Sequence, residues 1–246
     1  MTTAVRRALI TGATSGIGRA IAEALAAQGA HVLVTGRDRR RGEDVVAGIR
    51  AVRGKADFVV ADLASAPAVT QLAKEAERIL GGVDILVNNA GIFTFGPTAE
   101  GTEAQFDAIY ATNVKAPFLL TGRLAPAMVE RRWGRIVNIT TMVAYVGMAG
   151  AALYGSSKSA LQLLTQAWAA EYGPAGVTTN TIAPGPVRTL GTEAMGDGLE
   201  QMGKTVPAGR VGTPAEIAAS AVFLTSEAAS YVNGATVAVD GGRVAV

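Results

Sequence analysis

Seven short apolar runs, separated by stretches of helical periodicity, constrain this chain more than any other feature. They cover residues 8–11, 32–35, 58–61, 85–88, 136–139, 177–182 and 236–239. Each has strand length rather than helix length. Between the first two, Ile17, Ile21, Ala24 and Leu25 share one helical face. Between the third and fourth, Val69, Leu72, Ala73, Ala76, Ile79 and Leu80 share another, opened by Ser65 as cap with Pro67 in the first turn. Strands that alternate with helices imply right-handed crossovers and a parallel sheet covered on both faces. The predicted fold is therefore α/β, a doubly wound seven-stranded parallel sheet flanked by helices.

The rest of the sequence agrees with one such unit over residues 1–246. About half the residues are apolar and only 5% are aromatic, a mixture suited to helices packed closely on a sheet. No linker or composition shift marks a second domain. The loosest stretch, about 190–206, carries Gly191, Gly196, Gly198 and Gly203 and reads either as a mobile flap over a site or as a surface loop. There is no cysteine and one histidine, His31, which leaves no disulfide and no thiolate or histidine metal site. A Ser–His–Asp hydrolase would have to use His31, whose place at the start of an apolar run points to a strand edge.

A net charge of +2 makes no case for nucleic acid, although arginines cluster at 37–41 and 131–135. No apolar run approaches the roughly 18 residues of a membrane span. The first seven residues lead straight into a strand, so a soluble cytoplasmic protein is expected.

The first strand runs into Thr11-Gly-Ala-Thr-Ser-Gly-Ile-Gly18 and then a helix. Glycines there permit the turn and let backbone approach a pyrophosphate, which the helix start stabilises through free N–H groups and its dipole. The second strand ends at Gly36-Arg37. Dinucleotide folds that take NAD usually place an acid there for the ribose 2′-hydroxyl. Here Arg37 offers a forked donor to a 2′-phosphate, and Arg39, Arg40 and Arg41 add positive potential. The alternative is a solvated basic helix start. On the first reading the cofactor is NADP(H), and Asp62 accepts from the adenine amino group.

Tyr154-Gly-Ser-Ser-Lys158 sets a phenol and an ammonium one helical turn apart on one face. A nearby cation favours the phenolate and lowers the tyrosine pKa, which suits an acid/base for an alkoxide. Asn88-Asn-Ala-Gly91 ends the fourth strand, where ligands gather in such sheets. Asn113 follows in a helical segment. Pro117, four residues on, leaves the Asn113 backbone carbonyl without its helical partner and free for a water; it also serves as a kink.

Together, TGATSGIG, Asp62, NNAG at 88–91, Asn113, YGSSK at 154–158, Pro184-Gly185 and Asp240-Gly241-Gly242 resemble the short-chain dehydrogenase/reductase family over residues 5–242. The resemblance implies a Rossmann-type domain in which Tyr154 is the acid/base and Lys158 binds the nicotinamide ribose while lowering the tyrosine pKa. It implies a relay water on Asn113. Cofactor contacts would come from Gly12, Thr14, Ser15, Gly16, Ile17, Gly18, Arg37, Asp62, Leu63, Asn89, Ala90 and Gly91. The segment 184–189, through Pro184, Gly185, Val187 and Thr189, would meet the carboxamide. One position departs from the pattern: Thr141 stands where the family places a substrate-orienting serine, thirteen residues before the tyrosine. Threonine keeps the hydroxyl and adds a methyl.

Within the family the likeness is to bacterial 3-oxoacyl-acyl-carrier-protein reductases, extended by Arg210-Val-Gly-Thr-Pro-Ala-Glu216. Arg131 and Arg132 offer an acidic carrier protein a basic contact. Those reductases often carry a further arginine where this chain has Ala175, so a general reductase of small-molecule ketones or aldehydes stands beside the carrier reading. A reading of another class is a non-enzymatic NADP(H)-binding regulator, which would tend to lose the tyrosine or lysine. The family also implies a homotetramer, and segments 105–130 and 154–172 are apolar on more than one face.

Overall fold

The computed structural model describes residues 5–246. Its strands are β1 (Arg7–Ile10), β2 (His31–Gly36), β3 (Lys55–Val60), β4 (Ile85–Asn88), β5 (Gly134–Ile139), β6 (Val177–Pro184) and β7 (Thr236–Val239). All pair in parallel, in the order β3-β2-β1-β4-β5-β6-β7. The α-helices are α1 (Gly16–Ala27), α2 (Arg39–Ala51), α3 (Ala66–Leu80), α4 (Glu103–Tyr110), α5 (Ala116–Glu130), α6 (Ala152–Tyr172), α7 (Asp197–Thr205) and α8 (Pro214–Thr225). The doubly wound fold read from the alternating pattern is the one observed.

Successive strand residues point to opposite faces, so each strand feeds two cores. Ala8, Ile10, Val32 and Val34 meet Ile21 of α1, Val45 of α2 and Leu224 of α8 on one face. Leu9, Leu33, Leu86 and Ile136 meet Leu72 of α3 and Leu120 and Leu124 of α5 on the other. These strands need apolar side chains on both sides, which is why they read as continuous runs instead of alternating. The Ser65 hydroxyl accepts from Ala68 N–H, as its cap position predicts. The 210–216 motif is likewise structural: Thr213 and Glu216 form a capping box for α8, and Arg210 pairs with Glu216.

The amino edge of the sheet accounts for the arginines at 131–135. Arg131 donates to the Val83 carbonyl at 2.6 Å and lies 3.5 Å from Asp84. Burial pushes the Asp84 carboxyl up, but the Arg7 guanidinium outweighs it and holds the group below the usual carboxylate range. Trp133 sits between the guanidiniums of Arg6 and Arg135, 3.5 and 4.5 Å from its ring centroid. Arg131 and Arg132 precede β5 and so lie at the opposite end of the sheet from the loops after its strands.

His31 begins β2, with Nε2 2.7 Å from Asp57, a strand-edge position as expected. The stretch 190–206 is helical, a 3-10 turn (Leu190–Met195) followed by α7. Leu199 is buried beneath it, and tertiary anchoring overrides the weak helix propensity of Gly198 and Gly203.

Candidate active site

The winding reverses between β1 and β4, from which the chain progresses toward opposite ends of the sheet. The loops after these strands diverge and leave a crevice at the carboxyl edge. A cleft of about 710 Å³ occupies it. Gly12, Thr14, Ser15, Gly16, Ile17 and Gly18 line one end of this cleft. Gly16 has φ +54°, a left-handed conformation that favours glycine. A Cβ on Gly18 would fall 2.3 Å from Asn89 Nδ2 and 2.5 Å from the Gly12 carbonyl, so the helix start fits only without a side chain.

Asn89 explains that closeness. Its Nδ2 donates to the carbonyls of Thr11 and Gly12 at 2.8 and 3.0 Å, and Thr11 Oγ1 accepts from the N–H groups of Asn89 and Ala90. The glycine turn is thereby tied to the end of β4. Ser15 makes no side-chain cap bond to α1, so the helix's first N–H groups remain available to an anion. This cradle fits a pyrophosphate.

Farther along the cleft lie Arg37, Asp62 and Leu63. Asp38 caps α2 by accepting from Arg41 N–H at 3.0 Å, which offsets the unfavourable basic start. Arg41 pairs with Asp38 and Arg39 with Glu43, whereas Arg37 is exposed at the cleft.

At the other end α6 presents Tyr154 and Lys158, with Thr141, Gly91, Pro184, Gly185, Val187 and Thr189 around them. The start of α6 is held close to the loop after β5: a Cβ on Gly155 would lie 2.8 Å from the Val143 carbonyl, and Ser159 Oγ donates to the Ala144 carbonyl at 2.9 Å. That contact sets the Thr141 hydroxyl beside the Tyr154 phenol. Thr140 is turned away, its hydroxyl donating to the Ile182 carbonyl at 3.3 Å.

The expected lowering of the tyrosine pKa is not what this environment produces. Burial pushes the Tyr154 phenol up to about 12, with the Thr141 hydroxyl pulling the other way. Burial pushes the Lys158 ammonium down to about 8, and its Nζ donates to the Ile139 carbonyl at 2.9 Å. In each case the cost of removing a charge from water is the leading cause.

Asn113 lies beneath the cleft in a single π-turn (Ala111–Lys115), where Ala116 N–H reaches back to the Ala111 carbonyl. Such turns recur at functional sites. The Asn113 side chain clamps the Ile92 backbone, accepting from its N–H and donating to its carbonyl at 2.9 Å each, and Nδ2 also donates to Ser157 Oγ. Ser157 was not singled out from sequence, nor was a buried chain of polar side chains elsewhere in the sheet. In that chain Asn88 donates to Asn138, Asn138 to Thr165, and Thr181 to Thr165, at 2.8–2.9 Å. These bonds couple β4, β5, β6 and α6; amides and hydroxyls inside otherwise apolar strands were the available signal.

The comparisons agree with this geometry. The family described as enoyl-(acyl carrier protein) reductase matches residues 12–243. Gluconate 5-dehydrogenase of Gluconobacter oxydans is 38% identical over 239 residues, 96% of this chain and 93% of that protein. A solved short chain dehydrogenase/reductase family protein is 45% identical, with TM-score 0.91 over 98% of each chain. A 3-oxoacyl (acyl-carrier-protein) reductase from Agrobacterium tumefaciens C58, solved with NADP bound, is 35% identical with TM-score 0.92 over 96% of this chain and 93% of its own. The chain belongs to the short-chain dehydrogenase/reductase family of oxidoreductases.

Proposed function

We propose that this chain interconverts a ketone or aldehyde and its alcohol with NADP(H), using Tyr154 as the proton donor and acceptor. The observation that carries the reading is the half-buried Tyr154 phenol at the cleft, beside the Thr141 hydroxyl and one helical turn from Lys158. Held near 12, the phenol is protonated at neutral pH and ready to donate as a carbonyl oxygen gains negative charge. Thr141 provides a second donor that steadies and orients that oxygen. Lys158, protonated below about 8, contributes positive charge at the same spot.

The cofactor's pyrophosphate would rest on the start of α1, its 2′-phosphate against Arg37 and its adenine near Asp62 and Leu63. Asn89, Ala90 and Gly91 would border its nicotinamide half, and the segment 184–189 would contact the carboxamide. When bound, the nicotinamide supplies or accepts the hydride. The NADP in the Agrobacterium reductase supports the choice of dinucleotide.

A second copy of the chain is the proposed partner. Ile109, Leu124, Leu161 and Trp168 are consumed by the core, yet Phe106, Phe118 and Leu163 remain 49%, 51% and 67% exposed on α4, α5 and α6. A homotetramer would cover them. No helix among the described residues is long and apolar enough to cross a membrane.

Tyr154→Phe tests the central role. NADPH oxidation on a good ketone should disappear, while NADPH affinity, read by fluorescence titration, stays within about threefold of wild type. Turnover within tenfold of wild type would move the acid to another residue.

A further inference from the structure

Three loops border Tyr154, and each exposes apolar side chains. Phe93 and Phe95 follow β4, with ring centroids 5.9 and 6.0 Å from that of Tyr154. Neither ring belongs to the core: Phe93 is 39% exposed and Phe95 48%. The loop from Thr141 to Tyr154 forms the second side and exposes Tyr145 and Met148. Gly96 N–H donates to the Gly150 carbonyl at 2.9 Å and joins these two loops into one surface. The third side follows β6, where Leu190 is exposed and Gly191 lies against the Phe93 ring. Exposed phenyl rings beside a reacting group mark the place of an apolar ligand.

The charges point the same way. Residues 85–99 and 136–157 contain no Asp, Glu, Lys or Arg. Between 182 and 192 the one charged side chain is Arg188, whose guanidinium is paired with Glu200 of α7. Lys158 is buried and bonded to the Ile139 carbonyl. Behind Phe95, a second cavity of about 540 Å³ is bordered by Glu100 and Glu103, which repel anions. A substrate carboxylate or phosphate would thus lose water against phenyl rings with no unpaired cation on these three sides to receive it.

From this we infer that the substrate is a neutral ketone or aldehyde with an aryl or branched alkyl substituent. That substituent seats against Phe93 and Phe95 with the carbonyl at Tyr154, and keto sugar acids are disfavoured. The inference rests on the reductase reading above and names its substrate class.

The test compares three carbonyls at saturating NADPH with the full chain: acetophenone, 2,3-butanedione and 5-ketogluconate. Wild-type kcat/KM should be at least tenfold higher for acetophenone than for 5-ketogluconate. The double variant Phe93→Ala/Phe95→Ala should lose at least tenfold on acetophenone but less than threefold on butanedione, with the KM for NADPH unchanged. Phe95→Leu, which keeps apolar bulk, should recover part of the acetophenone rate. Preference for 5-ketogluconate, or equal losses on acetophenone and butanedione in the double variant, would overturn the inference and leave the reductase reading standing. Turnover of none of the three would remove both.

Discussion

Replacing Lys158 by methionine is expected to stabilise the fold while removing activity. The ammonium is fully enclosed, and its pKa falls from the ordinary 10.5 to about 8. That drop corresponds to roughly 3 kcal/mol of penalty on the charged form in the folded state. Methionine has similar length and no charge. It forfeits the bond to the Ile139 carbonyl, a charged hydrogen bond worth about 1.5 kcal/mol or somewhat more. The net gain is then roughly 1–2 kcal/mol at pH 7, or about 2–8 °C in Tm for a chain of this length.

The sign of the pH dependence follows from linkage. Below about 8 both folded and unfolded lysines are protonated and the whole penalty is present. As pH rises toward 10.5 the folded lysine is already neutral and the penalty fades, so wild type gains on the variant. Urea unfolding of both proteins at pH 7 and pH 10, at equal protein concentration because association adds stability, measures the gap. A variant less stable than wild type at pH 7, or a gap that does not shrink by pH 10, would refute the reasoning.

Thr141→Ala should lower kcat/KM by a factor corresponding to roughly 2–4 kcal/mol, the scale for deleting a donor to a developing oxyanion, whereas Thr141→Ser should retain activity. Steady-state kinetics on one ketone checks this; a silent Thr141→Ala together with a damaging Thr140→Ala would transfer the role to Thr140. Arg37→Ser should cost NADPH about 1.5–3 kcal/mol of affinity and leave NADH nearly unchanged, read from KM values for the two cofactors. Gly36→Asp is a poorer probe, because a Cβ there would stand 2.6 Å from the Thr14 side chain. Light scattering at micromolar concentration should give a mass near four times 25.0 kDa, and a monomer would dispose of the tetramer.

The parallel sheet was legible because strands buried on both faces are mostly apolar, and the chain marks most of them with such a run; β6 instead buries Thr178, Thr179, Asn180 and Thr181. The boundaries were less so: β3 begins at Lys55, three residues before the apolar stretch, because backbone pairing with β2 continues where side chains reach solvent. Helix α7 was hidden by its glycines, since its anchor, Leu199, is a tertiary contact. The cleft residues could be read from motifs because spacing on a turn or a helix fixes which groups share a side. The direction of the Tyr154 shift could not, because it depends on burial at a loop contact made by Gly155 and Val143. Phe93 and Phe95 were passed over for the same reason: their exposure, and not their identity, carries the information.

The reversal of strand order between β1 and β4 has a bearing on how such a protein diversifies. Arg37 follows β2 and Thr141 follows β5, three strand spacings apart, or about 14 Å. Sites separated this far, with no shared side-chain partner, usually change free energies additively. On the roles proposed for Arg37 and Thr141, dinucleotide preference and carbonyl preference are separable traits. A lineage can exchange one without renegotiating the other, and a laboratory can screen the two sets of variants apart and multiply the results.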